Sequence, residues 1–153
     1  AYEITARLVG SEMCIRDSSQ PLLDRMDLCV KVEKVHYQEL EQTTQEESSE
    51  SIRERVVMAH KRQRERYEKE GFFYNSQIPA KKIATFCALK KDEKRHMQQI
   101  YETLNLSVRS YHKILKTART IADIEGSEEI RMEHLHEAIC YRSIDSNFWE
   151  RRR

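Results

Sequence analysis

The sequence predicts a small all-α domain of about five helices, preceded by one isolated strand. Apolar residues recur at the spacing of a helix face through most of the chain after residue 50. Only one short stretch alternates apolar with polar residues, as a half-buried strand does. The 153 residues are 39% hydrophobic and 35% charged, which suits one polar domain, or one domain with an arm, that still has a core to bury.

Residues 1–18 do not resemble the rest of the chain. They have no clear periodicity, no apolar signal-peptide segment and no basic amphipathic targeting helix. The string from Arg7 to Ser18 also resembles translated adapter sequence of the kind that contaminates assembled reads. We therefore expect residues 1–18 to be a non-native leader and assign no function to them.

Residues 19–36 contain the predicted strand. From Met26 to Val35, apolar residues nearly alternate with polar and charged ones, which favours a single short strand. A lone strand cannot form a sheet, so we expect it to pair with protein outside this chain or to lie unpaired. Residues 37–50 carry five Glu and no Lys or Arg, a composition typical of a solvated acidic linker.

The helical domain is predicted over residues 51–149, and a short basic tail follows at 150–153. Its first helix takes Ser48 or Ser49 as N-cap and runs to about Glu70, before a glycine that suits a helix end. The apolar stripe of this helix is narrow, so one edge packs and the other faces water or a partner. That stripe consists of Ile52, Val56, Ala59 and Tyr67.

Four more helices are predicted, of which the one from Ser107 to Ile124 is the clearest. Ser107 is its N-cap, Gly126 follows its end, and its apolar residues repeat in steps of three and one along a single face. The other three helices cover about residues 79–86, 92–104 and 131–142.

The three glycines exclude several motifs. Gly10, Gly71 and Gly126 lie 61 and 55 positions apart, whereas a Walker A loop needs two glycines five apart and a dinucleotide fingerprint needs three within six residues. The nucleophile elbow G-x-S-x-G is excluded in the same way. The chain therefore contains no phosphate loop, Rossmann site or α/β-hydrolase serine of its own.

The cysteines, the apolar runs and the histidines exclude further kinds of site. The 4 Cys include no C-x-x-C pair, so we expect free thiols in a reducing cytoplasm rather than disulfides or a zinc site. The longest fully apolar run, Val56 to Ala59, is far shorter than the roughly 20 residues that span a bilayer. His134 and His136 point to different helix faces, and H-E-x-x-H would need a histidine at Cys140, so no metal site is predicted.

Two arginines are candidate functional residues. Arg119 lies at the margin of the apolar stripe of the 107–124 helix, where a cation needs a carboxylate partner or an anion from outside. Spacing alone favours a structural pair with an acid between Asp123 and Glu137. Arg25 stands at the start of the predicted strand, and spacing alone favours its neutralisation by its neighbours Asp24 and Asp27.

Several stretches resemble magnesium-chelatase-like AAA+ ATPases of the ComM (YifB) type. Ser19 to Leu28, with the motif PLLDR, resembles the end of the AAA+ core in this family. Ser107 to Gly126, with the motif ARTIAD, is the most specific match and resembles the C-terminal lid. Other lid-like stretches are SIRERV at 51–56, FYNSQ at 73–77 and the block at 133–142.

The resemblance implies a C-terminal piece of an ATP hydrolase, whose AAA+ core would precede residue 19 and without which this chain would be inactive. It implies that Arg25 acts as an arginine finger in trans, towards the γ-phosphate held by a neighbouring subunit. It implies that Arg119 acts as a sensor-2 residue, which contacts the phosphates bound by its own core. ATP and Mg²⁺ would then serve a hexameric parent protein that remodels DNA, as in competence-associated branch migration.

Two readings from other functional classes stay open. A free-standing nucleic-acid-binding module would use the basic face between Arg53 and Lys69 together with Arg151 to Arg153, although a solvated face is the more common meaning of such charges. A helical adaptor would dock a partner through Phe72 to Tyr74, although these aromatic residues are more typical of a core plug than of a base-stacking platform or an exposed patch.

Overall fold

A computed structural model describes residues 25–30, 32, 37 and 47–150, without the side chains of 143–150. The predicted leader at 1–18, most of the acidic linker and the tail arginines at 151–153 lie outside the described residues. Within them the chain is helical, which confirms the all-α prediction. The helices are α1 (Ser49–Arg66), α2 (Ile83–Phe86), α3 (Lys91–Thr103), α4 (Val108–Glu125) and α5 (Met132–Glu150), with 3₁₀ turns at Asn75–Gln77 and Ala80–Lys82.

The predicted caps form as the local sequence indicates. The hydroxyl of Ser48 accepts a hydrogen bond from the amide of Ser51 at 3.2 Å, at the start of α1. Ser107 caps α4 in the same way. Gly126 ends α4 with a φ of 90°, a left-handed conformation that side chains other than glycine rarely adopt. These three residues explain why the start of α1 and both ends of α4 lie where the sequence predicts them.

The first helix is shorter than predicted and packs along only half its length. α1 ends at Arg66 instead of about Glu70, and its C-cap is the fully buried Tyr67, whose φ of −104° and ψ of 13° depart from helical values. Ile52 and Val56, expected on the packed edge, are 45% and 42% exposed. The C-terminal half of α1 lies against α4, so the predicted apolar stripe is buried only in that half.

The predicted strand is absent from the part of it that the structure describes. Residues 26–30 and 32 run as irregular chain. No other strand lies among the described residues to complete a ladder, so main-chain groups of this segment bond to the helices instead. The amide of Cys29 donates to the carbonyl of Tyr141 in α5 at 3.0 Å.

The centre of the domain is α4, which packs against both α5 and α1. Ile114, Leu115 and Ala118 on its apolar face are 3% exposed or less.

The aromatic residues that follow α1, Phe72 and Phe73, differ in burial. Phe72 is buried and packs against Tyr67 with ring centroids 4.8 Å apart, whereas Phe73 is 56% exposed. The prediction of a core plug is therefore confirmed for Phe72 and wrong for Phe73.

Candidate arginine–carboxylate site

Arg119 lies inside the domain rather than on its surface. It is 3% exposed, and its guanidinium donates to the main-chain carbonyls of Ser127 at 2.6 Å and Glu128 at 2.7 Å. It also pairs with Asp123, one turn later in α4, at 3.2 Å. The structural pairing that spacing favoured is therefore present, and its acid is Asp123.

Asp123 is the hub of this cluster. Its carboxylate is fully buried and accepts two hydrogen bonds from the guanidinium of Arg66 in α1, one of them 2.9 Å long. The side-chain amide of Asn75 donates to it at 2.8 Å. Two arginines from different helices thus share one buried carboxylate, and this cluster joins α1 to α4.

Neutral groups complete the hydrogen bonding around the hub. The amide oxygen of Asn75 accepts from the hydroxyl of Tyr67 at 2.5 Å. The side-chain nitrogen of Asn75 also donates to Thr120 at 3.0 Å, and its main-chain amide donates to Gln63 at 3.1 Å. A hydrogen-bonded polar network of this kind fixes the relative positions of the elements that supply it.

The two arginines differ electrostatically. Burial lowers the pKa of Arg119, and the charge of Asp123 only partly offsets that effect. For Arg66 burial acts in the same direction, but its hydrogen bonds and ion pair with Asp123 outweigh it and raise the pKa. Both groups remain charged at neutral pH, since an arginine pKa stays far above 7.

Arg119 lines a cleft of about 430 Å³ between the chain after α2 and the start of α5. Arg66 and Lys90 contribute two more cations to the wall, and Glu128 and Glu129 contribute acids. The Nε of Arg119 is buried and has no hydrogen-bond partner among the described residues. All three cations of this cleft already have carboxylate partners, since Arg119 and Arg66 bond to Asp123 and Lys90 pairs with Glu129.

A second cleft, of about 390 Å³, lies along the first half of α4 and is lined by several basic side chains. We call it the basic cleft; its cationic lining residues are Arg109, Lys113 and Lys116, and His112 also lines it. Arg109 is exposed at the first turn of α4, whereas Lys116 donates to the carbonyl of Ser76 at 2.8 Å. Burial lowers the pKa of the Lys116 ammonium. The sequence pattern did not single out Arg109, Lys113 or Lys116, so this cleft was not predicted.

Arg25 stands on the surface, on the irregular segment that replaces the predicted strand. Its side chain is exposed, and Asp27, expected to neutralise it, pairs instead with Lys113 at 2.8 Å. Asp24, the other expected partner, lies outside the described residues. The structure therefore does not bring Arg25 and Arg119 together, and it joins the segment of Arg25 to α4 through Lys113.

The basic face of α1 is divided between surface and interior. Arg62 donates to the main-chain carbonyl of Asp123 at 2.7 Å, and Arg66 enters the hub. Arg55 pairs with Glu47, while Arg53 and other cations of the face stay exposed. Fewer cations are available to a nucleic acid than the sequence suggested.

The histidines of α5 have structural partners. Nδ1 of His134 accepts from the amide of Arg131 at 2.9 Å, so its Nε2 carries the proton and donates to Glu125. Hydrogen bonds from Arg131, and then from His134, lower the pKa of Glu125 to about 2. In the part of the chain that the structure describes, no three His, Cys, Asp or Glu side chains are placed to hold a metal ion.

Comparison with known proteins identifies the domain. The model of the family described as "Magnesium chelatase, subunit ChlI C-terminal" matches residues 46–142. Competence protein ComM of Haemophilus influenzae is 38% identical over 127 residues, which are 82% of this chain and 24% of that protein. Two proteins named "Uncharacterized protein YifB", from Salmonella typhimurium and Escherichia coli, are 38% and 37% identical over 128 residues.

The chain spans about a quarter of the length of these curated relatives. The resemblance stated from the motifs is thereby confirmed at the level of family. Among the described residues no helix combines the length and apolarity needed to cross a bilayer.

Proposed function

Because this chain belongs to the magnesium chelatase ChlI C-terminal family, we propose that it is the helical lid of an AAA+ ATPase. The parent protein would hydrolyse ATP in a hexameric ring in the cytoplasm and use the energy to remodel DNA. The name of one relative, a competence protein, supports a role of that kind. This chain would not hydrolyse ATP alone, since its glycines cannot form a phosphate loop.

One observation carries the proposal. The guanidinium of Arg25 is exposed to solvent while its backbone is bonded to α4, the helix that contains Arg119. A finger that acts on a neighbouring subunit must project from a firmly held segment, because an arginine stabilises phosphoryl transfer only when it is already in position. Arg25 meets that requirement.

Arg119 serves the same reaction from its own subunit in this proposal. Its terminal nitrogens are bonded to Asp123 and to two carbonyls, so a contact with phosphate requires them to exchange partners or the free Nε to be used. The positive charges of Arg66 and Lys90 in the wall of the cleft would help to attract the anion. Exchange of the partners of Arg119 would then make the lid position depend on the nucleotide.

Mg²⁺ would accompany ATP and neutralise its phosphates. The described residues contain no cluster suited to a metal, so we assign no Mg²⁺ ligand to them. The residues of this chain would supply positively charged side chains and a movable lid, and the nucleotide and its metal would be held elsewhere in the ring.

The proposal is tested in a chimera in which this chain, from residue 19 onward, replaces the matching stretch of H. influenzae ComM. The chimera should hydrolyse ATP, and Arg25→Ala should lower kcat by about 10³-fold, the lower end of the range for an arginine finger. Arg119→Lys keeps a charge beside Asp123 and is preferable to alanine. It should raise KM for ATP and lower kcat without unfolding the lid. Wild-type kinetics in both variants would contradict the proposal.

Arg109→Ala is the matched comparison, because Arg109 is the exposed cation of the basic cleft. Normal KM in this variant supports Arg119 as the phosphate contact. A raised KM in Arg109→Ala combined with normal kinetics in Arg119→Lys would move that contact to the basic cleft and refute the role of Arg119.

A measurement of DNA binding by the chain alone distinguishes the lid proposal from a free-standing nucleic-acid-binding module. The lid proposal predicts weak binding at physiological salt, since formal net charge is +1. Tight binding whose affinity falls steeply with salt, and which is lost on substitution of Arg53 and Lys61, would favour the module.

A further inference from the structure

The segment that carries Arg25 is held on the lid by cations from two helices. Lys113 of α4 donates to the main-chain carbonyl of Met26 at 2.9 Å and pairs with Asp27 at 2.8 Å. Arg142 of α5 donates to the same carbonyl at 2.6 Å. This oxygen therefore accepts two charged donors, while the side chain of Arg25 stays exposed.

Both cations are themselves fixed in the domain. Arg142 is 5% exposed and donates to the hydroxyl of Ser110 at 2.9 Å. Lys113 also donates to the carbonyl of Arg25, so one ammonium bonds to two successive peptides and one carboxylate. Hydrogen bonds with a charged partner are roughly twice as strong as neutral ones. The segment therefore moves with α4 and α5 rather than by itself.

The same helix connects the two candidate arginines. Lys113 and Arg119 are six residues apart in α4, which corresponds to about 9 Å along the helix axis. α4 packs against α1 and α5, and a packed helix moves as one body. A shift of α4 caused by a change of partners at Arg119 would carry Lys113, and with it the peptide of Arg25.

We propose that Lys113 is a positioning residue for Arg25, which couples the nucleotide contact within one subunit to the finger presented to the next. The inference rests on the proposed function, since it assigns Arg25 to the neighbouring subunit's reaction. Lys113 touches no substrate. It acts by fixing the carbonyls of Arg25 and Met26, and Arg142 supports it from α5.

The first test uses the 153-residue chain and amide hydrogen exchange followed by NMR. Lys113→Ala should speed exchange at the amide of Cys29 by roughly five- to tenfold, the loss expected from one net hydrogen bond. Amides in the middle of α4 should be unaffected. Lys113→Arg, which retains a charged donor, should restore most of the protection. Lys94→Ala, on the exposed face of α3, is the matched control and should leave Cys29 unchanged.

The second test uses the ComM chimera. Lys113→Ala should lower kcat by about tenfold and leave KM for ATP within about twofold, because it misplaces the finger without touching the nucleotide. Combined with Arg25→Ala it should cause no further loss, since it acts through that residue. Lys113→Arg should recover most of the turnover.

The results distinguish failure of this inference from failure of the proposed function. Unchanged exchange at Cys29 in Lys113→Ala, or losses that multiply in the double variant, would overturn the coupling even if Arg25→Ala still lowers kcat by about 10³-fold. Normal turnover in Arg25→Ala would instead overturn the finger itself, and the coupling with it.

Discussion

Replacement of Asp123 by alanine should strongly destabilise the described domain. The carboxylate is fully buried, and its loss leaves the charge of Arg119, which is 3% exposed, without a carboxylate partner. Removing one member of a buried ion pair costs about 3–5 kcal/mol. Arg66 adds less to that cost, because its side chain is 22% exposed and can turn to water.

This loss is large relative to the stability of such a domain, which is about 5–15 kcal/mol. With a urea m-value of about 2 kcal/mol/M, a loss of about 4 kcal/mol lowers the unfolding midpoint by about 2 M. Asp123→Asn keeps the shape and one acceptor, so its loss should be about 2 kcal/mol. The assay is urea unfolding of the chain followed by circular dichroism, with m compared between variants.

Asp92→Asn is the matched control. Asp92 has an 80% exposed side chain and lies 3.8 Å from Arg95, a surface pair whose loss should change stability by less than about 0.5 kcal/mol. If Asp123→Ala unfolds within about 0.3 M urea of the wild type at equal m, the buried hub does not stabilise the domain, and our explanation of how α1 is attached to α4 is wrong.

Three further predictions concern single groups. Gly126→Ala should destabilise the chain by about 1–2 kcal/mol in urea unfolding, because φ is 90° and a Cβ would lie 2.9 Å from the guanidinium of Arg62; Gly71→Ala, with nothing within 4 Å of its Cβ, should be within about 0.5 kcal/mol of the wild type. Hydrogen bonds from Arg131, and then from His134, lower the pKa of Glu125 to about 2, so its contribution to stability is present above pH 4.5 and is lost as the pH falls towards 2. In Glu125→Gln the melting temperature should therefore vary less between pH 4.5 and 2. The same dependence of melting temperature on pH in the variant and the wild type would contradict this. Burial raises the pKa of Cys87 to about 11, so a thiol reagent at pH 8 should label the exposed Cys140 at least tenfold faster than Cys87, and equal rates would contradict the burial.

Local features of the fold could be predicted from the sequence because neighbouring residues determine them. The fourth helix was predicted from Ser107 to Ile124 and is observed at Val108–Glu125. A serine hydroxyl at one end, a glycine at the other and an apolar stripe between them are all contained in twenty consecutive residues. The pair of Arg119 with Asp123 could also be predicted from the sequence, because the two residues lie one helical turn apart.

The rest of the hub could not be predicted, since its members are distant in sequence. Arg66 is 57 residues from Asp123, and Asn75 is 48 residues away. One signal was present: Gln63 lies four residues from both Ala59 and Tyr67, so a polar residue occupies the packed stripe of α1. A buried amide predicts a hydrogen-bond partner but does not identify it.

The strand prediction was wrong over residues 26–30 and 32 for a similar reason. Alternation from Met26 onward describes which side chains share a face, but a strand exists only when a neighbour accepts its main-chain hydrogen bonds. Met26, Leu28 and Val30 are 41%, 53% and 67% exposed, so no apolar face is buried there. Lys113 and Arg142 hold this segment, and neither contact follows from a local pattern.

The central claim is that Arg25 completes the ATP site of an adjacent subunit. It is tested most directly by ATP turnover in rings mixed from two chimeras, one with Arg25→Ala and one with an inactivated nucleotide-binding core. Each homogeneous ring should be inactive, and the mixture should regain activity, because an intact core then meets an intact Arg25 across the subunit boundary. Mixed rings as inactive as the parents, or a homogeneous Arg25→Ala ring with normal turnover, would contradict the claim.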